Sequence, residues 1–299
     1  MVEARHTMAD QSWLAAHPEA RASDLMEAFS DPSIKGIMST IGGDDSIRLL
    51  PFLDLALIHD NPKVFLGYSD TAVTHFACFK AGLVTFYGPA IMAGFGENGG
   101  LFPYMTSSIR QTLFSTEPAG RILPNADGWT CERLDWANPE LQSQNRRLHP
   151  CSGWRWLQGS GIRQGRLIGG CLEVVDWLRG TPVWPDLSVW RESILFLELS
   201  EEATPPSAVV RIFRSIAATG ALEATRGILF GRPYGEEETF GEYETALLQV
   251  CRELGLKSLP LVTQMDFGHT DPMLTIPYGI KAELDCDRQE FRYIDAAVR

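Results

Sequence analysis

The segment NPKVFLGYSDTAVTHFACFKAGLVTFYGP, residues 61–89, indicates the fold class through its alternation of strand and helix signals. Its apolar run at residues 64–66 ends in Gly67-Tyr68-Ser69-Asp70, and a segment with helical spacing follows at once. A second short apolar run comes directly after Gly82. Strands that alternate with helices in this way predict βαβ units and a parallel sheet.

The same alternation continues on both sides of this stretch. Before it, a helical segment leads to a strand that ends in the glycine-rich turn STIGGDDS, residues 39–46. After residue 150, strands such as ILFLE alternate again with amphipathic helices, whereas residues 106–150 are polar, rich in Pro and Gly, and without a clear period. We therefore predict an α/β protein with an N-terminal domain at 1–105, a connector and long loop at 106–150, and a C-terminal domain at 151–299.

Composition narrows the class of protein. The formal net charge of −12 leaves no basic excess, so a nucleic-acid polymer is not the expected partner. The six cysteines form no CxxC pair, which argues against zinc and favours a reduced, cytoplasmic setting. No apolar run reaches the ~18 residues of a membrane span, and the first 20 residues lack the apolar core of a secretory signal.

Ser69 lies at the corner between the predicted strand and helix, and two interpretations are open for it. A serine at such a corner is most often a helix cap. A nucleophile would need a sharp, exposed turn, as in the G-x-S-x-G elbow, but Thr71 stands here in place of the second glycine. A nucleophile would also need a base and a group that orients the base.

Two strand ends could supply those groups. His269 follows an apolar segment in DFGHTDPM and is either a base or a hydrogen-bonded turn histidine, while His75 lies on a helix that leads away from the corner. Glu198 ends the apolar strand SILFLE, where a carboxylate is costly unless paired, and pairing with histidine would fix the imidazole tautomer. We expect Glu201 and Glu202 to be solvated loop acids.

The adjacent glycines Gly42 and Gly43 permit close approach of the backbone to a ligand. Their N–H groups could form part of an oxyanion hole, or the pair could simply make a tight turn. The order Ser…Glu…His is the one found in α/β-hydrolases. Spacing alone leaves a serine hydrolase as one hypothesis among several.

Six blocks of sequence taken together resemble the LD-carboxypeptidase family of serine peptidases, and most of all its microcin immunity branch. This resemblance implies a flavodoxin/Rossmann-like parallel-sheet domain, a C-terminal β-rich α/β domain and a homodimer. It also implies a first strand–helix unit, most of which we expect this chain to lack, which would leave a sheet edge exposed or require a partner to cover it. The blocks are STIGGDDSIRLLPFLD, NPKVFLGYSDTAVTHF, VTFYGPAIM, GRLIGGCLE, ILFLE and GHTDPMLTIPYG.

The resemblance further implies a mechanism without metal or organic cofactor. Ser69 would be the nucleophile, His269 the base, and Glu198 the acid that orients the base. The oxyanion donors would be backbone N–H groups from Gly42, Gly43 and Asp70. The reaction would be amide hydrolysis through an acyl-enzyme.

Two substrate classes follow from the family. The immunity branch cuts the amide that joins an aminoacyl group to a nucleotide, as in processed microcin, and the carboxypeptidase branch cuts murein tetrapeptide. Trp136 in LDWANPE stands where the immunity branch stacks an aromatic residue on the base, and Trp154 or Trp156 could share that role. A protein that binds aminoacyl-nucleotides without turnover is a further alternative.

Two departures concern the acyl side of the substrate. The chain has acids in LELSEE where the immunity branch can carry basic residues that hold a substrate carboxylate. It also has Cys171 where the family often has Asn after the glycine turn.

Overall fold

Two β-sheets organise the chain, and the computed structural model describes all of its residues, 1–299. The strands in chain order are β1 (Gly36–Met38), β2 (Val64–Gly67), β3 (Thr85–Tyr87), β4 (Gly120–Ile122), β5 (Arg155–Gln158), β6 (Ile162–Cys171), β7 (Ser193–Glu198), β8 (Gly227–Gly231), β9 (Leu261–Met265), β10 (Ile276–Tyr278), β11 (Lys281–Asp285) and β12 (Glu290–Tyr293).

Ten α-helices surround the sheets, and short 3₁₀ helices precede three of them. The α-helices are α1 (Gln11–Ala16), α2 (Pro18–Ser30), α3 (Leu55–Asp60), α4 (Ala72–Lys80), α5 (Pro103–Leu113), α6 (Leu172–Leu178), α7 (Leu187–Trp190), α8 (Pro206–Ala217), α9 (Ala221–Ala224) and α10 (Phe240–Glu253). The 3₁₀ helices are Ser46–Phe52, Ser69–Thr71 and Glu237–Thr239. None of the helices is long and apolar enough to cross a lipid bilayer.

The first sheet contains β1, β2 and β3 in parallel, with β10 added antiparallel to β3. β1 pairs only with β2, so one edge of this sheet is open. β10 comes from the C-terminal part of the chain and completes a sheet that is otherwise made by residues before 90. The proposed domain limits of 1–105, 106–150 and 151–299 stay a prediction.

The second sheet has eight strands in the order β4-β12-β11-β6-β7-β8-β9-β5. Its centre, β6 to β9, is parallel, and the outer strands on both sides are antiparallel. Parallel strands are usually covered on both faces, and every residue of β7, β8 and β9 is buried. The predicted α/β class, with parallel-strand sheets in two domains, is confirmed.

Helix α4 joins the two sheets. It contacts β3 in the first sheet and β6 and α6 on the side of the second, so residues 72–78 are buried around the whole helix. The imidazole among them is satisfied internally: Nε2–H of His75 donates to the Gly67 carbonyl at 2.9 Å, and Thr85 bonds Nδ1 at 2.7 Å. Burial lowers the pKa of His75 to about 4, so this imidazole stays neutral and holds α4 to β2.

Residues 123–154, called the long loop below, contain no helix and no strand of either sheet. The loop is pinned to the C-terminal region by paired backbone bonds between Thr130 and Asp271, at 2.7 and 2.9 Å. The buried carboxylate of Asp266 adds three bonds: from Arg232 at 2.8 Å, from the Trp154 indole at 2.7 Å and from the Asn125 backbone N–H at 2.9 Å. Asp266 therefore fixes the long loop against the segment that follows β9.

Replacing Asp266 with alanine is expected to lower the free energy of unfolding by ~3–5 kcal/mol, because the buried Arg232 guanidinium loses its counter-charge. Urea unfolding followed by circular dichroism measures this. Arg214→Ala, which breaks an exposed ion pair, should shift the midpoint little. If Asp266→Ala lowered the free energy of unfolding no more than Arg214→Ala does, Asp266 would not be the counter-charge that keeps Arg232 stable in the core.

Candidate active site

One residue, Tyr68, separates the end of β2 from Ser69, which begins the 3₁₀ turn that leads into α4. Its φ of 63° lies in the left-handed region, which non-glycine residues seldom adopt and which recurs at functional turns. The hydroxyl does not cap the helix. Its Oγ instead lies 3.0 Å from Nε2 of His269.

Glu198 and His269 complete this constellation. Nδ1 of His269 lies 2.6 Å from Oε2 of Glu198, and the other oxygen, Oε1, accepts the hydroxyl of Tyr87 at 2.5 Å. Because a carboxylate only accepts, Nδ1 carries a proton and Nε2 faces Ser69. The structure thus brings together the three residues that the sequence nominated from separate strand ends.

Charge around His269 favours its protonated form. Burial by itself lowers the pKa of His269, but the Glu198 carboxylate and, more weakly, Glu201 and Glu173 outweigh burial and raise it above its usual range. A general base must be neutral to accept a proton, so its working range lies above that raised pKa.

Tyr87 is a member of the site that sequence reasoning missed. Its hydroxyl donates to Glu198 and accepts the backbone N–H of Ser69 at 3.0 Å, so it connects the acid to the serine turn. Tyr87 pairs with Gly67 in the parallel register of β3 and β2, which places it beside the turn. The available signal was a tyrosine at the end of a strand parallel to β2.

The glycine turn lies against the serine. A Cβ on Gly42 would come within 2.9 Å of Ser69 Cβ and 3.0 Å of its Oγ, so only glycine permits this approach. The Asp70 carboxylate holds the turn in place by accepting the Ser46 N–H at 2.9 Å and its hydroxyl at 2.6 Å. A Cβ on Gly43 would lie 3.1 Å from the same carboxylate. The Asp70 carboxylate thus has a structural role in addition to the oxyanion role that the sequence predicts for its backbone N–H.

Glu201 is exposed, as expected of a loop acid, but it also contacts the candidate base, which the sequence does not predict. Its Oε2 lies 3.1 Å from Nε2 of His269, and its Oε1 accepts from Arg133 of the long loop at 3.1 Å. Its side chain is 43% exposed, so the carboxylate lies at the mouth of the site. Glu202 is exposed, as expected.

The three residues nominated for substrate binding lie in different environments. Trp136 is 45% exposed and borders an open pocket of about 380 Å³. Trp156 packs against the main core, and Trp154 is held by its bond to Asp266. Cys171 is buried with its thiol 3.1 Å from Glu173, so it and Trp156 lie outside the pocket wall. The pocket is lined by Met92, Phe95, Gly96, Glu97, Asn98, Trp136 and Gln142.

An ion-pair network links this pocket to the segment that carries His269. Arg146 binds Glu97 of the pocket wall and, at 2.7 Å, Asp271, two residues after His269. Burial raises the pKa of Glu97, against the opposing effect of Arg146. Arg146 therefore ties the pocket wall to the segment that carries His269.

The arrangement can move a proton between a hydroxyl and an imidazole whose far side is held by a buried carboxylate. No set of three or more His, Cys, Asp or Glu side chains is placed to hold a metal ion. The chemistry available from these residues is nucleophilic attack with general acid–base assistance.

Two domain profiles match the chain. Residues 1–88 match the LD-carboxypeptidase N-terminal domain, and residues 164–284 match the LD-carboxypeptidase C-terminal domain, both of peptidase family S66. Together these matches cover more than half of the chain.

Individual relatives agree with these profiles. The Microcin C7 self-immunity protein MccF of Escherichia coli is 32% identical over 90% of this chain and 76% of its own length. An MccF-like protein from Streptococcus pneumoniae, solved in complex with AMP, is 31% identical with a TM-score of 0.87 over 98% of this chain and 88% of that one. MccF in complex with aspartyl sulfamoyl adenosine is 30% identical with a TM-score of 0.79 over 94% and 82%. The chain thus belongs to the LD-carboxypeptidase family of peptidases, family S66.

Proposed function

We propose that this protein is a serine amidase that hydrolyses the amide between an aminoacyl group and a nucleotide. The observation that carries the proposal is the continuous contact from Ser69 Oγ through His269 to the buried Glu198, at 3.0 and 2.6 Å. Membership of a peptidase family supports the hydrolytic class of reaction.

In the first step Ser69 Oγ attacks the carbonyl carbon while Nε2 of His269 takes the hydroxyl proton. The imidazolium that forms is stabilised by Glu198, which stays ionised, and Tyr87 donates to the second carboxylate oxygen. The left-handed backbone at Ser69 and the bond from its N–H to Tyr87 hold the nucleophile at the corner. This geometry needs no rearrangement of the three side chains before attack.

The carbonyl oxygen becomes negative as the C–O bond to Ser69 forms. Backbone N–H groups of Gly42, Gly43 and Asp70 are the proposed donors, because the glycine turn lies directly against Ser69. Asp70 contributes twice in this proposal: its N–H belongs to the donor set, and its carboxylate fixes the turn that supplies the others.

The second half of the reaction reverses the proton transfer. His269 gives its proton to the leaving nitrogen, the C–N bond breaks, and the nucleotide portion leaves. Water then attacks the acyl-Ser69 ester, with His269 again as the base, and the free acid is released.

The proposed nucleotide site is the pocket bordered by Trp136. Its exposed indole offers a face for stacking, and the pocket is joined through Arg146 to the His269 segment. Relatives of known structure bind AMP and aspartyl sulfamoyl adenosine, which supports this ligand class.

Murein tetrapeptide is the second candidate substrate, favoured by the LD-carboxypeptidase description of both matching domains. The homodimer and the cytoplasmic location stay predictions, and binding without turnover is an outcome that the experiments below would reveal.

Ser69→Ala is expected to lower kcat for an aminoacyl-nucleotide amide by ~10⁴-fold or more, since the nucleophile is lost. Release of the free nucleotide, followed by liquid chromatography, gives the rate. Ser33→Ala removes an exposed hydroxyl that is not part of the candidate site and should keep the wild-type rate. Comparable turnover by Ser69→Ala and Ser33→Ala would remove Ser69 from the mechanism, and binding without turnover by the wild-type protein would point to a non-catalytic role.

Trp136→Ala is expected to raise KM for the aminoacyl-nucleotide by about tenfold with a smaller change in kcat, because stacking on a base contributes ~1–3 kcal/mol. The same variant should cleave an L,D-tetrapeptide as wild type does. Phe114→Ala removes an exposed aromatic ring outside the pocket and serves as the control. An unchanged KM in Trp136→Ala, together with preference for the tetrapeptide, would establish the murein alternative instead.

A further inference from the structure

Nε2 of His269 has two oxygen neighbours instead of one. Ser69 Oγ lies at 3.0 Å, and Oε2 of Glu201 lies at 3.1 Å. The proposed mechanism uses only the first of these contacts. Glu201 is therefore a charged group in direct contact with the reacting nitrogen and has no part in the steps described above.

The second contact favours the protonated imidazole over the neutral one. In the neutral ring that Glu198 selects, Nε2 presents a lone pair, which a carboxylate oxygen would repel. In the imidazolium, the positive charge of the ring attracts the Glu201 carboxylate 3.1 Å away, while Nε2–H faces Ser69. Glu198 on one side of the ring and Glu201 on the other therefore both favour the charged form of His269.

The surroundings of His269 agree with this assignment. Two carboxylates contact the ring, and Glu173, farther away, adds to the charge that raises its pKa. Burial raises the pKa of Glu201, but the nearby His269 and Arg133 outweigh burial and leave it below its usual value. Burial keeps the pKa of Tyr68 well above its usual range. The groups that face His269 are Glu198, Glu201 and Glu173, with the Tyr68 ring 5.0 Å away; Asp271, bound to Arg146, follows in the same segment.

Arg133 keeps Glu201 within reach of the ring. Its Nη2 binds the carboxylate oxygen that does not face His269, at 3.1 Å. Arg133 lies on the long loop, three residues before Trp136, the proposed stacking residue. The contact with the catalytic base is therefore connected to the loop that would meet the nucleotide.

We propose that Glu201 is a positioning residue that holds His269 in its protonated form in the resting enzyme, and so sets the pH at which the base becomes available. This inference rests on the proposed function of Ser69 and His269. For the base to act, the Nε2 proton leaves to solvent and Glu201 keeps only its bond to Arg133. At pH values below the pKa of His269 the base therefore stays protonated and the enzyme inactive.

The first test is the pH dependence of kcat/KM for wild type and Glu201→Gln. The amide cannot hold the imidazolium, so the acid limb of the profile should move to lower pH. On that limb the variant should exceed wild type by about two- to fivefold, the range that a half-exposed ion pair supports. The plateau at high pH should change less. Glu202→Gln removes the adjacent exposed charge without a contact to His269 and should leave the midpoint of the profile in place.

The second test needs no turnover. The ¹³Cε1–H signal of His269, assigned by its loss in His269→Asn, is titrated by NMR in Ser69→Ala and in Ser69→Ala/Glu201→Gln. A lower titration midpoint in the double variant supports the proposal even if no substrate is ever cleaved, so failure of the proposed function and failure of this inference give different results. Coinciding midpoints in the two proteins, or a midpoint that rises when Glu201 is neutralised, would overturn the inference.

Discussion

The site depends on one constraint: a fully buried carboxylate, Glu198, must have donors on both oxygens. His269 and Tyr87 are those donors, and each brings a different part of the chain with it. His269 belongs to the segment after β9 in the second sheet, whereas Tyr87 ends β3 in the first. The same Tyr87 hydroxyl accepts the backbone N–H of Ser69. Burying one charge thus fixes the nucleophile, the base and the junction of the two sheets together.

Two further buried acids extend this pattern outward. The Asp70 carboxylate accepts hydrogen bonds from N–H groups of the turn after Gly43. The Asp266 carboxylate accepts hydrogen bonds from Arg232, from Trp154 and from the backbone of the long loop. A buried carboxylate needs several donors and so fixes several backbone segments at once. The turn proposed to supply the oxyanion donors and the loop that carries Trp136 are both placed in this way.

The apolar runs of the sequence predict the fold class and place Ser69, Glu198 and His269 at or near strand ends. That the three meet in one site is implied by the resemblance to the LD-carboxypeptidase family and not by the apolar pattern alone. Tyr87 looked like one more core residue, since a sequence does not show which strand end touches the acid. Glu201 and Glu202 are equivalent in sequence, and only the conformation of the loop turns one toward His269. The entry of β10 into the first sheet joins residues almost 200 positions apart, which no local pattern encodes.

The account predicts that Ser69 is an activated nucleophile whose reactivity comes from His269 and Glu198. A fluorophosphonate reagent followed by peptide mass spectrometry tests this most directly, because it modifies hydroxyls that a neighbouring base activates. We expect modification at Ser69, loss of amide hydrolysis in proportion to it, and no modification in His269→Ala. Turnover that persists with Ser69 fully modified, or equal labelling of Ser69 in His269→Ala, would contradict the account.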